Sequence, residues 1–170
     1  MIYHISGKLV EVSPTFAIIE CAGVGYQVNI SLTTYSQLGS SEQVKLYTFP
    51  IYKEDSQTLY GFFSKQERDT FSRLISVSGV GGNTARVILS SLAPNEVVEA
   101  IAGENVSLLK SIKGIGAKTA ERIIVDLKDK VGAIEMDATA PGSTGSLKAE
   151  ALSALEVLGY NFPAVRKNSL

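Results

Sequence analysis

Ile75-Ser76-Val77-Ser78-Gly79-Val80-Gly81-Gly82-Asn83-Thr84-Ala85-Arg86-Val87-Ile88 decides the fold, because the same pattern occurs a second time. The second copy is Lys110-Ser111-Ile112-Lys113-Gly114-Ile115-Gly116-Ala117-Lys118-Thr119-Ala120-Glu121-Arg122-Ile123. Aligning Gly79 with Gly114 superposes Gly81 on Gly116, Thr84 on Thr119 and Ala85 on Ala120, at an ungapped offset of 114 − 79 = 35 residues. A short helix, a Gly-apolar-Gly turn and a second helix make a helix-hairpin-helix. Both glycines of each pair permit positive φ, and neither carries a Cβ to hold off a neighbouring backbone. Val80 and Ile115, between the glycines, are expected to plug the turns into the helices' core. Outside is left a row of backbone N–H groups at a helix start, suited to an anion such as phosphate. Such a grip does not read bases, so it binds nucleic acid with little sequence preference.

A single Gly-x-Gly is as readily a tight turn between packed helices. Two ungapped copies, the second with Lys113, Lys118 and Arg122 around it, favour DNA binding. Two other phosphate motifs fail. Gly114 to Thr119 resembles a nucleotide-binding P-loop, but Ala117 replaces the glycine before the lysine and no buried strand precedes it. Gly79 to Gly82 lacks the dinucleotide-binding spacing and follows a helical pattern.

The chain of 170 residues has room for one domain or two to three small ones, and 45% apolar content supports folded cores. No apolar run is long enough to span a bilayer, and the N-terminus lacks the charged start of a signal peptide, so a cytoplasmic protein without a membrane partner is expected. One cysteine, Cys21, excludes a disulfide framework or a cysteine zinc site. His4 is the only histidine, and its reading is structural. No cofactor or metal is expected. Net charge is −1, but residues 63–132 carry ten basic and eight acidic side chains, against three and five in residues 1–62 and three and four in 133–170. With so small an excess where the hairpins lie, backbone amides must supply much of the grip, unless several subunits pool their charge.

From Ile2 to Phe63 the pattern is β. Five short strands are expected, Ile2 to Val12, Thr15 to Cys21, Val24 to Ile30, Gln43 to Lys53 and Thr58 to Phe62, with a helical link from Thr33 to Leu38. Gly25 suits a bulge or bend. Five strands in about sixty residues suit a closed Greek-key barrel of the OB type. At Ser64 the period changes: Ser64 with Glu67 is a capping-box pattern, and Phe71, Leu74 and Ile75 form an apolar stripe. Ala93-Pro94-Asn95-Glu96 opens another helix, Asn105 caps the next, and the second hairpin's last helix is expected to run to Lys130, its terminal lysines complementing the helix dipole. The expected organisation is thus a barrel domain, 1–63, a tandem hairpin domain, 64–132, a flexible linker, 133–146, and a partial helical domain, 147–170. That last piece, an amphipathic helix from Leu147 to Leu158 and the start of another, is too small to bury a core alone, so it is either incomplete or completed by a partner.

This order of parts resembles the bacterial RuvA family of Holliday-junction proteins over essentially the whole chain. The most specific stretches are Val24-Gly25-Tyr26, Glu54-Asp55 followed by Leu59-Tyr60-Gly61-Phe62, Lys65-Gln66-Glu67-Arg68, and Gly114 to Arg122. The resemblance implies a non-catalytic scaffold that holds a four-way junction open and recruits the hexameric ATPase RuvB, through the C-terminal domain, for branch migration in recombination and repair. It implies a homotetramer or an octamer, and admits the resolvase RuvC as a further partner. It places an acidic pin at Glu54 and Asp55, with Lys53 a basic neighbour, and DNA contacts at Gly79, Gly81, Asn83, Arg86, Gly114, Gly116, Lys118, Thr119 and Arg122. The chain departs from the family at Gly82-Asn83, where Pro-Lys is frequent, and at Ala117, where a second lysine is common. Each change removes a cation or some stiffness, and Arg86, one turn on, is placed to compensate. The family's C-terminal domain holds about three helices, and this chain ends earlier.

Two other readings compete. A metal-dependent junction or repair nuclease would use Glu54 and Asp55 as ligands, although nuclease sites need several converging carboxylates. A single-strand binder would work through exposed barrel aromatics such as Tyr26, Tyr47 and Tyr52.

Overall fold

The computed structural model describes residues 1–138. Five strands, β1 (His4–Val12), β2 (Phe16–Cys21), β3 (Val24–Ile30), β4 (Gln43–Tyr52) and β5 (Gln57–Phe62), close into a barrel in the order β1-β2-β3-β5-β4. All pairs are antiparallel except β3 with β5, which meet only at Asn29 with Tyr60 and Ile30 with Gly61. The two-residue alternation sends Val44 and Leu46 of β4 inward beside Ile5, Ile19, Val28 and Ile30. Helix α1 (Leu32–Leu38), capped by the Ser31 hydroxyl, adds Leu38 to this core. The bulge expected at Gly25 lies elsewhere: the β2–β3 ladder passes through Gly25 unbroken, and the register slips between Leu9 and Glu11 of β1. A Cβ on Gly25 would meet only ordinary contact, Ile18 Cγ2 at 3.7 Å, so the strand has no local cause to bend there.

Five helices follow: α2 (Lys65–Ile75), α3 (Gly82–Ser91), α4 (Pro94–Ala102), α5 (Val106–Ser111) and α6 (Ala117–Ala138). Helix α6 continues past Lys130 and through Gly132 to Ala138, since one interior glycine costs only about 1 kcal/mol and no proline follows it there. The rest of the expected linker and the C-terminal helices lie outside the described residues. Among the described residues no helix is long and apolar enough to cross a membrane.

Barrel and hairpins form one compact unit, Met1–Gly132, because consecutive residues of α2 are anchored on different parts of the barrel. Half of the capping box forms: Ser64 Oγ accepts from Glu67 N at 3.1 Å. The Glu67 side chain instead enters the barrel side, where it accepts hydrogen bonds from the Ser31 hydroxyl and from Thr34 Oγ1, the latter at 2.8 Å. Burial pushes its carboxyl pKa up, and these two hydrogen bonds oppose the shift. Arg68, also buried, donates from Nε to Thr48 O at 2.9 Å and lays its guanidinium over the Tyr3 ring. Phe71 packs on Phe49, Tyr60 and Phe62. Helix α3 is tied in by Arg86 Nη1 to Ile30 O at 3.3 Å and Thr33 Oγ1 to Leu89 O at 2.6 Å. The barrel, which carries Glu54 and Asp55 on its β4–β5 turn, and the first hairpin thus belong to one body.

Candidate nucleic-acid interface

The two hairpins repeat bond for bond. Val80 N donates to Val77 O and Ala85 N to Gly81 O, at 3.0 and 2.9 Å; Ile115 N donates to Ile112 O and Ala120 N to Gly116 O, both at 3.0 Å. Val80 and Ile115 are each 5% exposed, plugged into the core as their position between glycines requires. The glycines of each pair, however, do different jobs. Gly79 (φ +90°) and Gly114 (φ +88°) occupy the left-handed region, whereas Gly81 (φ −88°) and Gly116 do not. The turn needs positive φ only once, before the helix start; the second glycine already has the extended backbone of an N-cap. A Cβ built on Gly81 or Gly116 meets no atom within 4 Å, so the protein itself does not demand glycine there.

Helices α1, α2 and α5 start under side-chain caps, from Ser31, Ser64 and Asn105, whereas α3 at Gly81 and α4 at Ala93 start with none, and of these two only α3 follows a hairpin turn. The N–H groups of the first turn of α3 are left to an outside acceptor. An anion there also meets the positive end of the helix dipole.

Arg122 links the repeats, donating from Nη1 to Ser78 O of the first turn at 3.3 Å. Together they line a cleft of ≈ 470 Å³ with Ser78, Gly79, Lys118, Thr119, Arg122, Val125 and the acidic Glu121 and Asp126. Sequence reasoning missed Ser78, whose role is a backbone carbonyl that no side-chain pattern reports. Arg86 is partly engaged: Nη2 donates to Asn83 Oδ1 at 2.8 Å while Nη1 holds the barrel. Its charge stands beside the first hairpin, but it is tethered rather than free to reach.

Lys53, Glu54 and Asp55 are exposed on the tight β4–β5 turn, closed by Lys53 N to Ser56 O at 2.8 Å. Lys53 shares a second cavity, ≈ 520 Å³, with Gly81 and Asn83 of the first hairpin, so the turn and the hairpin open on one side. Gly114, Gly116, Glu54 and Asp55 line neither cavity. Among the described residues no three of His, Cys, Asp and Glu come together as a metal-ligand group.

Residues 1–61 match the RuvA N terminal domain family, and residues 71–129 match the SAM-like helix-hairpin-helix tandem. A Holliday junction branch migration complex subunit RuvA from Christiangramia forsetii is 57% identical over 162 residues, covering 95% of this chain and 84% of the relative. The chain belongs to the RuvA family. The subunit of the same name from Flavobacterium psychrophilum is 54% identical, over 94% of this chain and 83% of its own length. The Bacteroides fragilis subunit is 50% identical, over 94% and 84%. The OB-type barrel and tandem hairpins expected from the sequence are thus those of the family.

Proposed function

We propose that this protein is a non-catalytic DNA-binding subunit of a branch-migration complex, holding a Holliday junction open for a separate ATPase. The duplicated hairpin carries the reading: two backbone turns with matching hydrogen bonds, fixed to one barrel, each open a helix start, and the first presents amides with no side-chain cap. The family's named members are subunits of that complex. Gly79, Gly81, Asn83, Arg86, Gly114, Gly116, Lys118, Thr119 and Arg122, with Lys53, grip the sugar-phosphate backbone in this reading. Four subunits would bring their Glu54–Asp55 loops around the crossover, where the carboxylates repel phosphate and keep strands apart. The motor, RuvB, docks on the segment after the hairpins.

The nuclease alternative finds no supporting ligand set among the described residues. One experiment separates the readings. A labelled four-way junction is titrated with the wild-type protein and with Glu54→Gln/Asp55→Asn, in magnesium across a salt series. Repulsion predicts no cleavage and tighter binding by the variant, most at low salt, because screening over roughly 10 Å at 0.1 M weakens the repulsion. A wild type that cuts and a variant that neither cuts nor binds more tightly would overturn the assignment.

A further inference from the structure

We propose that the cavity between β4, β5 and the first hairpin is a nucleobase pocket, which receives a base unpaired at the crossover of a four-way junction. The inference rests on the junction-binding reading above and names what that surface takes from the junction besides phosphate. The cavity holds ≈ 520 Å³, within the range of about 300–1,000 Å³ usual for small-molecule sites. Its walls are apolar: Phe49, Pro50 and Ile51 of β4, with Ile75 and Val80 of the hairpin.

One polar group opens into it. Tyr60 lines the cavity and is 8% exposed as a residue, and its hydroxyl, bonded to no described residue, is reached by solvent rather than sealed off, so a ligand group can replace that water. Burial pushes the phenol pKa up, with Arg86 opposing, so the hydroxyl stays protonated and can both donate and accept. It sits beneath Gly82: a Cβ there would fall 2.7 Å from the Tyr60 hydroxyl.

Apolar walls with one two-way hydrogen-bonding group suit the edge of any base, since every base offers at least one acceptor and a flat apolar face. The rim completes a nucleotide. Lys53 and Asn83 stand at the mouth, with the uncapped first turn of α3, where the attached phosphate would lie. A duplex interior keeps its bases paired and stacked on both sides, so extruding one is costly. Pairs at an open crossover are stacked on one side only, and their bases come out most readily. The pocket therefore adds junction selectivity without sequence selectivity.

The test is a double-mutant cycle between protein and DNA. Fluorescence anisotropy measures binding to a fixed four-way junction with non-homologous arms, either intact or with abasic analogues at the nucleotides flanking the crossover. Tyr60→Phe keeps the ring in the core and removes the hydroxyl. It should weaken binding to the intact junction about fivefold, leave linear duplex unchanged, and bind the abasic junction as wild type does. Ile75→Trp, which fills the cavity from its rim, should show the same pattern with thermal stability checked alongside. Equal variant-to-wild-type ratios on intact and abasic junctions would overturn the pocket while leaving junction binding in place. A wild type that binds junction and duplex equally would remove the functional reading and the pocket with it.

Discussion

Alanine at Gly81 and Gly116 separates folding from binding, because the protein leaves room for both methyl groups. Neither residue has positive φ, and the added Cβ meets nothing within 4 Å. Stability should stay within about 0.5 kcal/mol of wild type, the ordinary range for surface changes. Alanine's poorer N-capping and its smaller unfolded-state entropy also pull in opposite directions. Binding should respond differently. A phosphate oxygen sits about 2.7–3.2 Å from an amide nitrogen, whereas a methyl carbon keeps other atoms at about 3.5–4.0 Å. Losing one charge-assisted hydrogen bond costs about 1.5–3 kcal/mol, or roughly 10- to 150-fold in affinity. Gly114→Ala is the contrast, since at φ +88° a side chain costs about 1–2 kcal/mol in the fold itself. Thermal melting and junction anisotropy on the three variants read both effects. If Gly81→Ala and Gly116→Ala melt and bind as wild type, no phosphate approaches these backbones and the hairpins are not the grip.

Gly82→Ala should destabilise by about 1–3 kcal/mol, since its Cβ would lie 2.7 Å from Ile51 Cδ1 and the rigid Tyr60 ring; a higher denaturation midpoint would show that the helix-propensity gain of about 1 kcal/mol wins. For Glu67 the carboxyl is raised from 4.5, so its contribution to stability is full below about that pH and is lost as pH rises through the folded value. Glu67→Gln cannot ionise, so the stability of wild type minus variant, from denaturant midpoints, should fall from about pH 4 upward; a flat difference would mean the carboxylate stays solvated. Lys118→Ala should weaken junction binding and flatten the slope of log affinity against log salt by about one, and an unchanged slope would remove Lys118 from the phosphate contacts.

How far the chain could be read depends on how local each cause is. The hairpins were legible because a turn, its apolar plug at Val80 or Ile115 and the following helix start all lie within a few residues. The barrel was legible from strand alternation and length, which bracket β1 to β5 within a residue or two. Glu67 shows where locality fails. Its spacing from Ser64 gives the N-cap bond, but its carboxylate goes to Ser31 and Thr34, more than thirty residues upstream. Gly25 shows the reverse error: a glycine in a strand suggests a bend, but the ladder is unbroken there and slips in β1 instead. The different tasks of Gly79 and Gly81 depend on φ, which a bare Gly-x-Gly does not disclose. Nor does sequence spacing place Tyr60 under Gly82, because that contact joins a barrel strand to a helix start.

The most direct test of the whole account is the equilibrium affinity for a four-way junction measured beside that for a linear duplex built from the same arm sequences. Both are titrated at one moderate salt concentration, because affinities at different salt cannot be compared. Backbone grips fixed on a body with an acidic loop predict clear preference for the junction, unchanged when every arm sequence is replaced. Equal affinity for the two DNAs, or a preference that follows arm sequence, would contradict the account.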